Sequence, residues 1–281
     1  MRVVVAQHAG ICYGVERALK LAGEAADAGG PVHTLGPLIH NPQAVQALRD
    51  RGVEVADSVD QVVDGTLVIR SHGVDPAVIV QADAAGLAVI DATCPFVSTA
   101  QRHAADLARE GYAVVIVGEA EHPEVEGILA HAGGSALIVQ RAVDLPARLP
   151  SKRVGVVVQT TQSPSRLEEV VAALLGSVNE LRVFNTICSA TAKRQKAADE
   201  LARTVDVMVV VGGRNSGNTT RLAEICRAVN ERVYHVETAD ELDPAWFADA
   251  EVVGVTAGAS TPDEQIAGVI AAIEALNDDV R

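Results

Sequence analysis

The stretch LAVIDATCPFVSTAQ, Leu87–Gln101, decides the fold of this chain of 281 residues. A short apolar run comes first, a polar turn ending in Cys94 follows, and Pro95 then opens a segment with apolar residues at helical spacing. Continuous apolar runs of this length are typical of parallel strands covered on both faces, and proline is favoured in the first turn of a helix. The stretch therefore predicts a buried strand, a turn and a helix, which is the repeating unit of α/β proteins.

Two more stretches have this layout, VVVAQHAGICYGVERAL at 3–19 and LRVFNTICSATAKRQ at 181–195. Cys12, Cys94 and Cys188 thus each end an apolar run and open a helix, 82 and 94 residues apart along the chain. A helix N-terminus favours a thiolate, the form that ligates metals. Three thiolates in matching positions predict one soft metal centre with an open fourth position. Zinc sites made only of cysteine usually use close pairs, so the wide spacing favours a larger object such as an iron–sulfur cluster.

These units predict the architecture of the whole chain. We expect an α/β fold with three pseudo-equivalent lobes and mostly parallel sheets around a central iron–sulfur cluster. The expected lobes are 1–94, 95–188 and 189–281. Helices are predicted over 15–27 and from Pro95 to a stop at Gly111. The predicted strands are Val3–Ala6, Leu67–Arg70, Ala88–Asp91, Ala113–Val117, Val154–Gln159, Leu181–Phe184, Val207–Val211, Arg232–Val236 and Val252–Thr256.

Composition limits the classes of function. Hydrophobic residues make up 48% and aromatic residues only 2%, so the core must be built from Val, Ala, Leu and Ile. A formal charge of −14 argues against nucleic acid and anionic membranes as partners, although a local site can still bind an anion. No apolar run approaches the roughly 18 residues of a membrane span, and the N-terminus lacks a signal-peptide layout. We therefore expect a cytoplasmic protein with no membrane partner.

Polar side chains follow nearly every predicted strand. Ligands of parallel sheets bind beyond the carboxyl ends of the strands, so these side chains are candidate site residues. The run GGRNSGNT at 212–219 resembles an anion nest but lacks the spacing of a nucleotide P-loop. Together these positions predict a small diphosphate ligand, although turn residues and lone histidines are often only structural. The candidates are His40, His72, His122, Thr160, Ser216, Asn218 and Ser260.

Two other residues are assigned by their surroundings. Glu124 follows His122 with one proline between them, and a carboxyl group there could deliver a proton to a leaving hydroxyl. The alternative for Glu124 is a carboxylate that only complements a helix dipole. Cys226 is in helical phase with Leu222 and Val229, so we predict that it packs in the core and binds no metal.

Four other histidines lack a context like that of the candidate site residues and are predicted to be structural or surface residues. They are His33, His103, His131 and His235.

Nine motifs in order along the chain carry a family resemblance. They are GxCxGVxRA at Gly10–Ala18, HNPQ at His40–Gln43, SHGV at Ser71–Val74, DATCP at Asp91–Pro95, HPEVEG at His122–Gly127, QTT at Gln159–Thr161, NTICxAT at Asn185–Thr191, NSGNTxRL at Asn215–Leu222 and TAGASTP at Thr256–Pro262. With these motifs the chain resembles the 4-hydroxy-3-methylbut-2-enyl diphosphate reductase (IspH/LytB) family over essentially its whole length. That family catalyses the last step of the methylerythritol phosphate route of isoprene biosynthesis.

The resemblance implies an oxidoreductase with one [4Fe–4S] cluster, held by Cys12, Cys94 and Cys188 with one open iron for the substrate hydroxyl. It implies that Glu124, His122 and Thr160 form the catalytic group, with Glu124 as the proton donor and Thr160 near the allylic alcohol. Two electrons would convert the allylic diphosphate to isopentenyl or dimethylallyl diphosphate. The diphosphate would contact His40, His72, His122, Ser216, Gly217, Asn218 and Ser260.

One position departs from the family pattern. Where the family commonly reads NSSN, this chain has Gly217 after Ser216. Gly217 has no hydroxyl, so it can offer the diphosphate only its backbone N–H. We expect binding to survive with one polar contact altered.

The family resemblance also implies an electron-donor partner, and other functions compete with the implied one. The family implies ferredoxin or flavodoxin as the electron donor, and we expect a basic dock for it at Lys193, Arg194 and Lys196. Alternatives are a quinolinate synthase-like iron–sulfur dehydratase, a non-catalytic iron–sulfur sensor and a zinc hydrolase. The nine motifs fit the first alternative poorly, and a sensor needs neither Glu124 nor the anion nest.

Overall fold

Three four-stranded sheets, with every strand pair parallel, form the framework in the computed structural model, which describes residues 1–278. An α-helix lies between most successive strands, because neighbouring parallel strands need a long crossover connection, which is usually a helix. The strands are β1 (Arg2–Val5), β2 (Val32–Leu35), β3 (Val53–Ala56), β4 (Thr66–Ile69), β5 (Ala88–Asp91), β6 (Ala113–Val117), β7 (Leu137–Val139), β8 (Arg153–Val158), β9 (Glu180–Phe184), β10 (Val207–Val211), β11 (Val233–Val236) and β12 (Val252–Ala257).

Nine α-helices lie between or after these strands within the described residues. Several begin with proline, which fits the first helical turn because its missing N–H needs no partner there. The helices are α1 (Tyr13–Asp27), α2 (Pro42–Arg49), α3 (Pro76–Ala84), α4 (Pro95–Arg109), α5 (Pro123–His131), α6 (Pro164–Leu175), α7 (Ser189–Ala202), α8 (Gly217–Arg227) and α9 (Asp263–Asp278).

The described chain divides into two compact units. The first unit contains Met1–Val15, His40–Ala44 and the described residues from Ser189 onward. Its sheet, which we call the terminal sheet, has the order β1-β12-β10-β11. The first strand of the chain therefore pairs with the last one, with Arg2 opposite Val252 and Val5 opposite Val255.

Both faces of the terminal sheet are covered. Val207, Val209 and Val211 pack with α9, whereas Met208 and Val210 pack with α7 and α8. Successive residues of a strand point to opposite faces, so a strand covered twice must be apolar at every position. This explains why β10 reads as the continuous run VMVVV.

The second unit contains Glu16–Ile39 and Val45–Cys188 and carries two sheets. The proximal sheet has the order β3-β2-β4-β5, and the middle sheet has the order β7-β6-β8-β9. The middle sheet is also covered twice, by α4 and α5 on one face and by α6 on the other. The strands β4, β5, β6, β8 and β9 are parallel to their neighbours. The loops that follow them begin at the carboxyl ends of these strands, where parallel sheets bind ligands.

The predicted fold class is confirmed, since three parallel α/β sheets with flanking helices are present. The nine predicted strands are found with ends shifted by at most one residue, and the helix from Pro95 stops before Gly111, whose φ is +81°. Three strands were not predicted, namely β2, β3 and β7. Lobe boundaries at 94 and 188 stay a prediction. Within residues 1–278, no helix has the length and apolar character needed to cross a membrane.

Candidate functional site

Each of the three predicted ligand cysteines directly precedes a helix. Cys12 comes before α1, Cys94 is the N-cap residue of α4, and Cys188 comes before α7. All three are of intermediate burial. A thiol in this setting lies near unpaired helix N–H groups and keeps access to a ligand, which suits metal ligation.

The fourth cysteine has a different environment, as predicted. Cys226 is fully buried on α8 among the core residues behind the terminal sheet. Burial, with a contribution from the nearby Asp199 carboxylate, raises the pKa of the Cys226 thiol to about 12. Cys226 is therefore a small hydrophobic core residue, and the prediction that it packs is confirmed.

In the first unit, three loops that carry predicted site residues are hydrogen-bonded to one another. The Cys12 N–H donates to Ala259 O at 3.0 Å. The next residue, Ser260, donates from Oγ to His40 O at 3.0 Å. Asn41 then caps the start of α2, accepting from Ala44 N at 2.9 Å, and its Nδ2 donates to Gln265. The loops of Cys12, His40 and Ser260 are thus fixed together in this unit.

The predicted anion nest lies at the start of α8 in the same unit. Ser216 is the N-cap residue and accepts from Thr219 N, and Gly217 is the first residue of the helix. Asn218 is buried, and neither its amide nitrogen nor its amide oxygen has a hydrogen-bond partner among the described residues. A buried amide needs partners, so Asn218 together with the helix N–H groups is suited to bind an anionic ligand.

This nest also requires glycine for close packing. Gly212 has a φ of +139°, and a Cβ there would lie 2.5 Å from Thr261 Oγ1. A Cβ on Gly258 would lie 2.0 Å from Thr219 Oγ1. The loop before α8 and the loop that holds Ser260 can therefore approach each other only because both glycines lack a side chain.

In the second unit, Cys94 and two predicted histidines belong to one connected group. The Cys94 N–H donates to Ser71 O at 2.9 Å, directly before His72. The ring of His72 meets the ring of His122 edge to face, with centroids 5.5 Å apart. His122 is the N-cap residue of α5, where its Nδ1 accepts from Glu124 N at 3.1 Å. An accepting Nδ1 leaves the ring proton of a neutral His122 on Nε2, which can then donate to a ligand.

Glu124 is the centre of the same group. Only 2% of its surface is exposed, and its carboxylate accepts from Thr160 N at 2.6 Å and from Thr160 Oγ1 at 2.9 Å. Thr160 O in turn accepts from Cys188 N at 3.1 Å. Hydrogen bonds therefore link the backbone of Cys188 to the carboxyl group of Glu124 through a single residue.

Opposing effects set the pKa of Glu124. Burial raises it and the charge of Glu119 adds to the rise, whereas the two hydrogen bonds from Thr160 lower it. Burial is the largest effect, and the pKa reaches about 7 instead of 4.5. A carboxyl group that still holds its proton near neutrality is suited to general acid catalysis.

One prediction near the site is wrong. Arg194, expected as part of a basic dock, is only 3% exposed and donates from Nη2 to Gly10 O at 2.8 Å. The buried face of α7 explains this, since Thr191, Arg194 and Ala198 share it at helical spacing. Arg194 therefore fixes the loop of Cys12, and only Lys193 and Lys196 remain exposed.

The histidines predicted to be structural have such roles where contacts are seen. His235 Nε2 lies 2.8 Å from Gly212 O, and burial lowers the pKa of His235. His131 Nδ1 lies 2.7 Å from Gly127 O, and His103 stacks on Phe184 with centroids 3.9 Å apart.

The chain is similar to known proteins over nearly its whole length. The family described as LytB protein matches residues 3–274. A 4-hydroxy-3-methylbut-2-enyl diphosphate reductase of Geotalea uraniireducens (strain Rf4) is 50% identical over 280 residues, which is 99% of each chain. The protein of the same name from Geobacter sulfurreducens is 52% identical over 275 residues, covering 98% of this chain and 97% of that relative.

Two solved structures are similar over nearly the whole chain. One, described as (E)-4-hydroxy-3-methyl-but-2-enyl diphosphate reductase, the terminal enzyme of the non-mevalonate pathway, is 45% identical with a TM-score of 0.72, and the match covers 98% of this chain and 100% of that one. The E-1-hydroxy-2-methyl-but-2-enyl-4-diphosphate reductase from Plasmodium falciparum is 26% identical with a TM-score of 0.91, covering 96% and 87%.

Proposed function

The chain belongs to the LytB protein family, and from this premise we propose that it reduces 4-hydroxy-3-methylbut-2-enyl diphosphate to isopentenyl and dimethylallyl diphosphate, the last step of the methylerythritol phosphate pathway. The observation that carries the proposal is the buried carboxyl group of Glu124. It is bonded to Thr160 and adjacent to His122, with a pKa of about 7. A reductive dehydroxylation needs such a group, because hydroxide is a poor leaving group until it is protonated.

The proposed reaction consumes two electrons and two protons. The allylic C–O bond breaks and the hydroxyl leaves as water after taking a proton. Two electrons and a second proton replace it at carbon, so substrate, two electrons and two protons give product and water. Glu124 donates the proton that makes water the leaving group, and Thr160 orients the Glu124 carboxyl group through its N–H and its hydroxyl.

The three predicted ligand cysteines support an iron–sulfur cluster as the cofactor. Cys12, Cys94 and Cys188 are cysteines of intermediate burial at helix starts, a suitable set for one [4Fe–4S] cluster with an open iron. When bound, such a cluster supplies electrons and a Lewis-acidic iron. Arg194 holds the loop of Cys12 by its bond to Gly10, and Ser71 and Thr160 hold the backbones of Cys94 and Cys188.

Charge and hydrogen-bonding capacity support an allylic diphosphate as the substrate. His122 can donate from Nε2, and the N-terminus of α8 offers backbone N–H groups. The amide of Asn218 needs partners that a phosphate oxygen provides. We propose that the diphosphate is bound by His40, His72, His122, Ser216, Gly217, Asn218 and Ser260.

A sensor that responds only by losing its cluster does not need a buried carboxyl group with a pKa of about 7. A location in the cytoplasm stays a prediction.

The decisive test is an anaerobic assay of the reconstituted protein with the allylic diphosphate and a chemical reductant. We expect both isoprenoid diphosphates as products. A protein with full iron and sulfide content and a native fold that yields neither product would refute the proposed function. A colourless protein containing zinc and no sulfide would refute the cofactor.

Glu124→Gln tests the proton donor. The amide keeps the size of the side chain but has no acidic proton, so we expect turnover to fall by about 10²–10⁴-fold with cluster content and substrate binding retained. Glu126→Gln is the matched control, because Glu126 lies two residues later in the same helical turn and is exposed. Equal turnover in the Glu124 variant and the wild type would remove Glu124 from this role.

We further propose an acidic ferredoxin or flavodoxin as electron donor, docking near Lys193 and Lys196. Lys193 lines a cavity of about 260 Å³ that also borders Cys12, which supports electron entry there. Lys193→Glu should slow turnover with the protein donor and leave the rate with a chemical reductant unchanged. Lys20→Glu, at another exposed lysine, is the control. If both variants behave alike with the protein donor, the dock lies elsewhere.

A further inference from the structure

Gln101 is a buried polar residue to which the proposed mechanism gives no role. It lies on α4 with 6% of its surface exposed, and its Nε2 has no hydrogen-bond partner among the described residues. Leaving a buried amide donor unsatisfied is costly, so its position calls for an explanation.

The amide of Gln101 abuts two glycines of the site. A Cβ on Gly73, the residue after His72, would lie 2.4 Å from Gln101 Nε2. A Cβ on Gly127 in α5 would lie 3.0 Å from the same atom and 3.8 Å from His72 O. Gly73 has a φ of +71°, so a side chain is disfavoured there for two reasons. The end of Gln101 thus fills the space beside both the turn of His72 and the helix that His122 begins.

We propose that Gln101 is a positioning residue that sets the spacing between the His72 turn and α5, and so holds the His72 ring against His122. The inference rests on the proposed function for its kinetic consequence only. The spacer acts through its length, because Nε2 at its end lies against both glycines and has no hydrogen-bond partner among the described residues.

The geometry also separates the effect on binding from the effect on turnover. Glu124 is fixed to Thr160 by two hydrogen bonds that do not involve Gln101. The turn of His72, by contrast, packs directly against the end of Gln101 at Gly73. Loss of the spacer should therefore displace His72, a diphosphate contact, and leave the proton donor in place.

The test compares Gln101→Ala and Gln101→Met in the cluster-loaded enzyme. For Gln101→Ala we expect KM for the allylic diphosphate to rise about tenfold, as when one hydrogen bond to a charged group is misaligned, with kcat within about twofold. Gln101→Met keeps the length and should restore KM to within about twofold of wild type. Leu107→Val is the structural control, since Leu107 is a buried residue of the same helix that packs against Gly155 instead.

A second readout does not depend on activity. In protein with isotope-labelled histidine, the ring signals of His72 and His122 should shift in Gln101→Ala and stay in place in Leu107→Val. Unshifted signals with an unchanged KM in Gln101→Ala would overturn the proposal, and so would a Gln101→Met variant that behaves like alanine. If wild type fails to turn over the substrate, the proposed function falls, and the histidine signals still decide the role of Gln101.

Discussion

At the scale of the residue, Glu124 shows how burial and hydrogen bonding compete. Two bonds from Thr160 favour the carboxylate, and burial disfavours it more strongly, so the proton stays on up to a pH near 7. Glu124 is protonated and can act as a donor below its pKa, and it loses this proton as the pH rises through about 7. Turnover limited by this donor should therefore decline on the alkaline side.

Thr160→Val tests this balance. Valine keeps the branched shape and the backbone N–H but removes the hydroxyl bond that lowers the pKa of Glu124. We expect the alkaline limb of the kcat profile to move to higher pH, whatever the change in maximal rate. Thr34→Val is the control, because Thr34 is buried in β2 and its hydroxyl has no partner among the described residues. A limb that stays in place in Thr160→Val would mean that another group limits turnover.

At the scale of the element, contact between α4 and the middle sheet depends on one glycine of β8. A Cβ on Gly155 would lie 2.5 Å from Leu107 Cδ2 and 2.6 Å from its Cδ1. Leu107 is fully buried, so it has little room to move. The helix that carries Cys94 at its start is therefore seated directly on the backbone of the strand.

Gly155→Ala should destabilise the protein by about 1–3 kcal/mol through overpacking, seen as a lower Tm. Gly176→Ala is the matched control, because Gly176 caps α6 in a helical conformation with nothing within 4 Å of an added Cβ. We expect that control to be neutral or slightly stabilising. Equal Tm values for the two variants would show that Leu107 relaxes freely.

Elements and site residues differed in how far sequence alone could predict them. Strands with an unbroken apolar run were predictable, because a strand buried on both faces has apolar residues at every position. The strands β2 and β3 carry the polar residues His33, Thr34 and Glu54, and β7 has only three residues, so neither pattern nor length marked them. Strand ends predicted the loops of the site.

The contacts that tune the site residues were not predictable from their own motifs. Only the helical spacing of α7 indicates that Arg194 is buried, since Arg194 lies on the same face as the buried residues Thr191 and Ala198. Gln101 had no motif at all, because its role depends on two glycines distant in sequence. The bond between Thr160 and Glu124 spans 36 residues and needs the parallel pairing of β6 and β8.

At the scale of the whole molecule, the proposed cluster draws its ligands from positions 12, 94 and 188 of the chain. Serine in place of Cys12, Cys94 or Cys188 should each lower the bound iron and sulfide after anaerobic reconstitution. Cys226→Ala should keep the full content, because its thiol is buried in the core. Retention of a normal cluster by one of the serine variants would exclude that residue as a ligand.

The pairing of β1 with β12 has a consequence for when the protein matures. The ribosome makes β1 first, but its only neighbour within the described sheet is a strand that begins at Val252. The N–H of Cys12 likewise waits for Ala259, a partner that is translated after all three predicted ligand cysteines. A nascent chain can complete the proximal and middle sheets while translation continues, whereas the first ligand loop reaches its final form only after Ala259 has been translated. Stable cluster loading should therefore wait for β12 and the loop after it, and removal of β12 should leave Cys12 without its support.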